Sequence, residues 1–575
     1  MTDATTRTAA HHLLQALLDR GIEYLFCNLG TDHAPLIEEM ARWGAKGRAL
    51  PKVILCPHEN TALHMAGGYA VATGRGQAAL VHVDAGTANS AMALHNLCRA
   101  RVPVLLMAGR APASTFNDVE GGRDTYVHFI QEPFDQGSVV RPYVKWEYTL
   151  PRPSMAGEVI ARAHSVMQSD PPGPVYLMLP RETLAAACPP RELRPFPVER
   201  HGAVKLGGAD AAQVDRIARA LVAAENPLLV TAYAGRDRQA PALIEKLATL
   251  VGMRVCEFNT VDLNIRRDSP CFGGYDPSLF TEDADVGLLV DVDVPWIPQK
   301  TRVNPRAFWA QVDVDALKRN MPMWGFAADV RIEARAAIVL RQLVDAVAAL
   351  ATPEFRSRAA ARMECLKAYH AARVERAASL AARPGTVGAI DPHHLCAALG
   401  KALRPHDIVL NEAVRNALAV FEQIPRTEPG SLVGLPGGGL GFSAGMALGL
   451  RLAHPDRAIV HVVGDGTFYF CNPSSVYAVA REYGLPIFTV VLDNGGWAAV
   501  KEATLRMYPQ GRAHERAEYG ALLPQRMDFA GIARAAGAHG ESLTDPSECE
   551  AAITRCLQAL REGRSAVLHA RVAPL

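Results

Sequence analysis

Short apolar runs alternate with stretches of helical periodicity along almost the whole chain. Runs at 24–28, 78–83, 104–108 and 175–179 are strand-like, and stretches such as 8–20 between them carry helical spacing. A second set at 228–232, 286–292 and 309–314 repeats the arrangement, as does a third at 408–410, 458–463, 487–492 and 566–572. Strands alternating with helices predict an α/β fold of doubly wound parallel sheets. The breaks divide the chain into three blocks. Residues 1–190 end in Cys188-Pro189-Pro190, residues 205–350 form the second block, and a polar, Arg-rich helical stretch at 355–383 leads into the third, 370–575.

Composition narrows the class without naming a reaction. The 575 residues are 49% hydrophobic, enough for several cores, and the length prior is about three or four domains. Sixty basic and 59 acidic residues give a net charge of +1, so neither nucleic acid nor a charged membrane surface is an expected partner. There is no long apolar run to span a bilayer, and Met1-Thr2-Asp3-Ala4 does not open a signal pattern. Eleven cysteines without CxxC spacing read as reduced core residues. A cytoplasmic protein is the resulting expectation.

Three segments carry chemistry. Gly464-Asp465-Gly466 closes the run 458–463, and Asp493-Asn494 closes 486–492. Between Asp465 and Asn494 lie 28 residues, room for one crossover helix and the return strand. A carboxylate and a carboxamide therefore reach one carboxyl edge, where open α/β sheets bind ligands. Hard oxygens suit Mg²⁺, and the glycines let backbone N–H groups approach a diphosphate. Taken alone, the triplet is equally a tight strand-to-helix turn. Glu59 follows the run 53–57 and opens a small-residue helix, where an acid can serve merely as a helix N-terminal group. Gly437-Gly438-Gly439-Leu440-Gly441-Phe442 precedes another small-residue helix, 443–452.

In this chain order the three segments resemble the thiamine-diphosphate-dependent enzymes. His58-Glu59 with the following Ala66-Gly67-Gly68-Tyr69-Ala70 matches one family motif, and Asp465 with Asn494 matches another. The resemblance implies pyrimidine-binding, central and diphosphate-binding domains, in that order, with thiamine diphosphate and Mg²⁺ as cofactors. It places Mg²⁺ on Asp465, Asn494 and the Gly496 carbonyl, with Gly464, Gly466 and Thr467 completing the cradle. Glu59 would hydrogen-bond the aminopyrimidine, Leu440 would be the apolar wedge under the cofactor, and the Gly438 carbonyl would meet its amino group. Asp493 stands where the family has the first of two Asn residues, a position that bears on local hydrogen bonding more than on the metal. Shared active sites between two subunits follow from the resemblance, with a tetramer of two such dimers common among relatives.

Within the family the first block is most similar to benzoylformate decarboxylases, with acetolactate synthases close behind. By that resemblance the segment 27–32 would place Thr31 on the substrate carboxylate, and 80–89 makes His82 a proton-transfer candidate; a histidine at a strand end can otherwise be purely structural. The resemblance implies decarboxylation of a 2-oxo acid, followed by aldehyde release or carboligation of the enamine to a carbonyl acceptor. Two departures stand out. Residues 270–277 contain no counterpart of the decarboxylases' second histidine, and Val500 occupies the place of a glutamate essential in pyruvate decarboxylases. Ala499, Val500 and Ala503 are read as lining a roomy substrate pocket. Alternatives are an acetolactate synthase proper with FAD in the central domain, a 2-hydroxyacyl-CoA lyase, or a catalytically silent cofactor-binding partner. Ala234-Gly235-Arg236 is not a dinucleotide fingerprint, so FAD has no support in the sequence, and Glu59 together with the metal ligands argues against silence.

Overall fold

Each of the three sets of runs becomes one six-stranded sheet in which every neighbouring pair is parallel. The computed structural model describes residues 7–116, 118–434, 437–523 and 527–574, so the reading of residues 1–4 lies outside it. The first sheet runs Lys52–Leu55, Tyr24–Asn28, Gln77–Val81, Val104–Arg110, Val175–Pro180, Glu147–Thr149. Its inner strands Gln77–Val81 and Val104–Arg110 are buried almost throughout because helices cover both faces, as parallel sheets require.

The central sheet runs Phe272–Gly274, Arg254–Glu257, Pro227–Thr231, Val286–Val290, Phe308–Asp313, Val330–Glu333. Chain order reverses between Pro227–Thr231 and Val286–Val290, which opens a crevice at their carboxyl ends. The third sheet runs Leu432–Val433, Ile408–Glu412, Ile459–Gly464, Phe488–Asp493, Ala566–Arg571, His539–Leu543. The 29-residue helix Pro353–Ala381 leads into it.

One expected strand is shorter than its apolar run. The run 78–83 leaves the sheet after Val81; His82 precedes helix Val83–Arg99, and Val83 takes φ +22. A positive φ is strained for a β-branched residue.

The small-residue helices of the first and third blocks exist to touch each other. Glu59–Thr73 packs on Ser443–Ala453 so closely that a Cβ on Gly68 would overlap the backbone of Met446, and one on Gly449 that of Met65. Met65, Ala66, Met446 and Leu450 belong to one apolar core shared by both blocks. Among the described residues no helix is long and apolar enough to cross a membrane.

Candidate active site

Strands Tyr24–Asn28 and Gln77–Val81 are in register, Asn28 opposite Val81, so the residues that follow them meet at one edge. Glu59 begins its helix there, and its carboxylate is 5% exposed. Asn28 Nδ2 donates to one oxygen at 2.8 Å and Asn89 Nδ2 to the other at 3.1 Å. The carboxylate is thus fixed from two sides.

His82 is held as firmly. Its Nδ1 pairs closely with Asp32 Oδ1, and its Nε2 lies 2.9 Å from Gln131 Oε1. Asp32 is fully buried, and His33 Nε2 stands 3.1 Å from its second oxygen. Room for the pair comes from glycines: a Cβ on Gly30 would overlap the His82 ring, and one on Gly109 the Asp32 carboxylate. The Asp32 hydrogen bond raises the His82 pKa above the usual histidine value, against the opposing effect of burial. Burial pushes Asp32 up, but the His82 hydrogen bond and the neighbouring histidines outweigh it and leave the carboxyl below its ordinary range. Both ring nitrogens face oxygens, Asp32 Oδ1 and Gln131 Oε1, and both acceptors favour the protonated ring.

A second constellation forms on the third sheet. Ile459–Gly464 gives way to Asp465, and the neighbouring strand Phe488–Asp493 to Asn494. Asp465 is 4% exposed, and among the described residues no protein cation pairs with it. Burial first, and then the adjacent Asp493, push its carboxyl up. Asp493 is compensated instead: His569 Nε2 lies 2.7 Å from Oδ2, and Arg571 makes a close ion pair with the same oxygen. Burial pushes the Asp493 pKa up, yet these two partners hold it below the usual range. Asp465, Asn494 and Arg571 line one cavity of about 610 Å³.

Asn494 Oδ1 accepts from the Gly496 N–H at 3.2 Å, and the Gly496 carbonyl accepts from Ala498 at 3.2 Å. A side chain at 496 would overlap the Ala521 carbonyl. Gly464 ends its strand, and Gly466 and Thr467 are buried in the following turn. A buried carboxylate lacking a cation is costly, and the Asn494 carboxamide lining the same cavity adds a second hard oxygen donor. These residues fit Mg²⁺.

The glycine run is pinned rather than loose. Asn96 donates to the Gly439 carbonyl at 2.9 Å and accepts from its N–H at 3.1 Å, and His95 Nε2 lies 2.8 Å from the Gly437 carbonyl. Buried Glu412 accepts from the N–H groups of Gly441, Phe442 and Ser443 at 2.7, 3.2 and 3.0 Å, anchoring the start of helix Ser443–Ala453. Burial pushes its carboxyl up to about 7 against those hydrogen bonds. Gly438 takes φ +79, and Leu440 is half-buried beside it.

Two family models match the chain. The N-terminal TPP binding domain of thiamine pyrophosphate enzymes covers residues 7–139, and the C-terminal TPP binding domain covers 416–570. The chain belongs to the thiamine pyrophosphate enzyme family. Glu59 and His82 fall in the first match, Asp465 and Asn494 in the second. Benzoylformate decarboxylase of Pseudomonas aeruginosa is 26% identical over 582 residues, covering 97% of each chain. Acetolactate synthase isozyme 3 large subunit of Escherichia coli is 23% identical over 567 residues, 97% of this chain and 93% of that one. The structure of Rhodococcus jostii RHA1 thiamine diphosphate-dependent 4-hydroxybenzoylformate decarboxylase shares the fold, with a TM-score of 0.79 at 22% identity over 99% of this chain and 100% of that one.

Not every expected thiamine pyrophosphate enzyme residue is gathered within one chain. Thr31 is exposed on the turn Thr31–His33. Ala499, Val500 and Ala503 share the exposed side of helix Ala498–Met507 and line neither of the two cavities that carry Asn494. Nor does any hydrogen bond or ion pair join Glu59 to residues 464–496, although the adjacent Asn60 donates to the carbonyls of Gly441 and Phe470 at 3.1 and 3.3 Å. In the central crevice the Asp291 carbonyl takes the N–H groups of Ala232 and Tyr233, and Asn264 takes that of Gly235.

Asn28, Asp32, Asn89, Glu412, His569 and Arg571 had no assigned role in the sequence. Asp32 and Asn89 lie inside the quoted motifs, and an aspartate at 493 was itself a signal that a cation would come with it.

Proposed function

We propose that this chain is a thiamine-diphosphate- and Mg²⁺-dependent enzyme that decarboxylates a 2-oxo acid, with aldehyde release or carboligation to a carbonyl acceptor. The observation that carries the reading is the pair of constellations: a clamped Glu59 with the Asp32–His82 pair on one sheet edge, and a buried, cation-free Asp465 with Asn494 on another. Thiamine diphosphate, when bound, supplies the electron sink that makes loss of CO₂ from a 2-oxo acid feasible. Asp465, Asn494 and Gly496 would hold the Mg²⁺, and Gly438 and Leu440 would meet the cofactor from the pinned loop. Glu59, oriented by Asn28 and Asn89, holds the proton exchanged with the cofactor's ring nitrogen. His82, poised by Asp32, moves a proton to and from the substrate. Thr31, Ala499, Val500 and Ala503 are assigned to the substrate pocket, which their exposure leaves to be completed by a second subunit.

The test is NMR product analysis of protein loaded with thiamine diphosphate and Mg²⁺ and supplied with a panel of 2-oxo acids, with and without acceptor aldehydes. An aldehyde or a 2-hydroxyketone should form only when both cofactors are present. A loaded protein that turns over none of the panel refutes the reading.

A further inference from the structure

We propose that Arg571 binds the diphosphate of the cofactor directly, with Asp493 and His569 as the residues that position it. The proposal rests on the reading of Asp465 and Asn494 as the metal–diphosphate edge.

Strand register puts Arg571 directly opposite Asp493, and Arg571 lines the same cavity of about 610 Å³ as Asp465 and Asn494. Its ion pair with Asp493 is made through Nη1, and among the described residues no second carboxylate pairs with it. Asp493 is itself fixed. Its Oδ1 accepts from the Gly495 N–H at 3.0 Å, and its Oδ2 faces His569, whose buried ring packs on Phe529 with centroids 4.9 Å apart. Such an arrangement anchors Arg571 at the wall of the cavity that Asp465 and Asn494 line.

Charge gives the reason for the pair. An aspartate in place of a carboxamide adds a negative charge beside the site of a multiply charged diphosphate, which repels the ligand unless a cation accompanies it. Arg571 is that cation. A planar guanidinium also matches phosphate oxygens with paired N–H donors, so it can ligate as well as neutralise.

A double-mutant cycle separates those two roles. Affinities for thiamine diphosphate and for inorganic pyrophosphate, each with Mg²⁺, are measured by titration calorimetry on wild type, Asp493→Asn, Arg571→Gln and the double variant. A direct contact makes the double variant about 10-fold or more weaker than Asp493→Asn alone, and by a similar factor for both ligands, the scale of a charge-assisted hydrogen bond. Should the double variant bind both ligands as Asp493→Asn does, Arg571 merely neutralises Asp493 and the proposal falls. Weakening confined to thiamine diphosphate also overturns it, because the contact would then lie off the diphosphate. If the glutamine variant does not fold, Arg571→Met, which keeps the aliphatic stem, takes its place in the cycle. Wild type that binds neither ligand would instead remove the metal–diphosphate reading beneath the proposal.

Discussion

Two side chains, His82 and Glu59, have surroundings that decide what protons they can carry. His82 is raised by its bond to Asp32, so its protonated form persists above the ordinary value of 6.5. The stabilising contribution of that pairing is complete below the unfolded value and is lost as pH rises through the elevated folded one. Asp32→Asn should bring the His82 titration, followed by NMR of the ring protons, down toward or below 6.5; an unchanged midpoint would show that another group sets it. His82→Ala should lower 2-oxo acid turnover far more than cofactor affinity, and aldehyde release more than ligation. Glu59→Gln keeps the shape, and its amide oxygen can still accept from one of Asn28 and Asn89, while its NH2 faces the other donor. It should bind cofactor nearly normally while slowing exchange of the cofactor's C2 proton at least about a hundredfold, the scale of general acid–base contributions. Glu59 and His82 were legible because each sits in a contiguous motif. The partnership of His82 with Asp32 was not, since the two are 50 positions apart and only the strand register joins them.

At the scale of elements, legibility followed burial. Inner strands such as Val104–Arg110 and Phe488–Asp493 are apolar on both faces and announce themselves. Edge strands such as Glu147–Thr149, Val330–Glu333 and His539–Leu543 are half-exposed and carry no such run. The glycine run was legible as a loop before a helix, but not as a rigid one. Glu412, which makes it rigid, reads from sequence as the polar end of a strand. Removing it leaves three N–H groups without an acceptor, so Glu412→Ala should cost about 2–4 kcal/mol. Amide hydrogen exchange at residues 441–443 should rise with that loss, and a thermal midpoint and exchange pattern like wild type would show that the anchor is dispensable.

At the scale of the molecule, the two constellations sit on different sheets and are not bonded to each other within one chain. Large apolar side chains stand exposed on both blocks: Phe116, Tyr126 and Ile130 on the first, Met507, Tyr508 and Leu522 on the third. Surfaces of that kind mark contacts with other molecules. If the site is shared between two copies, as the family resemblance implies, faces of this kind would close it and cover Thr31, Ala499, Val500 and Ala503, which are exposed in one chain. Sequence alone gave the order of the blocks and the cofactor motifs, but how two copies would meet is a property of surfaces that no single motif encodes. We propose, as the family resemblance implies, that cofactor-dependent catalysis needs Glu59 from one chain and Asp465 from another. The most direct measurement co-assembles Glu59→Gln chains with Asp465→Ala chains, each inactive alone, and assays 2-oxo acid decarboxylation. Mixed dimers contain one site in which both residues are intact, so activity should return to roughly a quarter of wild type for random pairing. Mixed dimers that form and remain inactive would contradict the account.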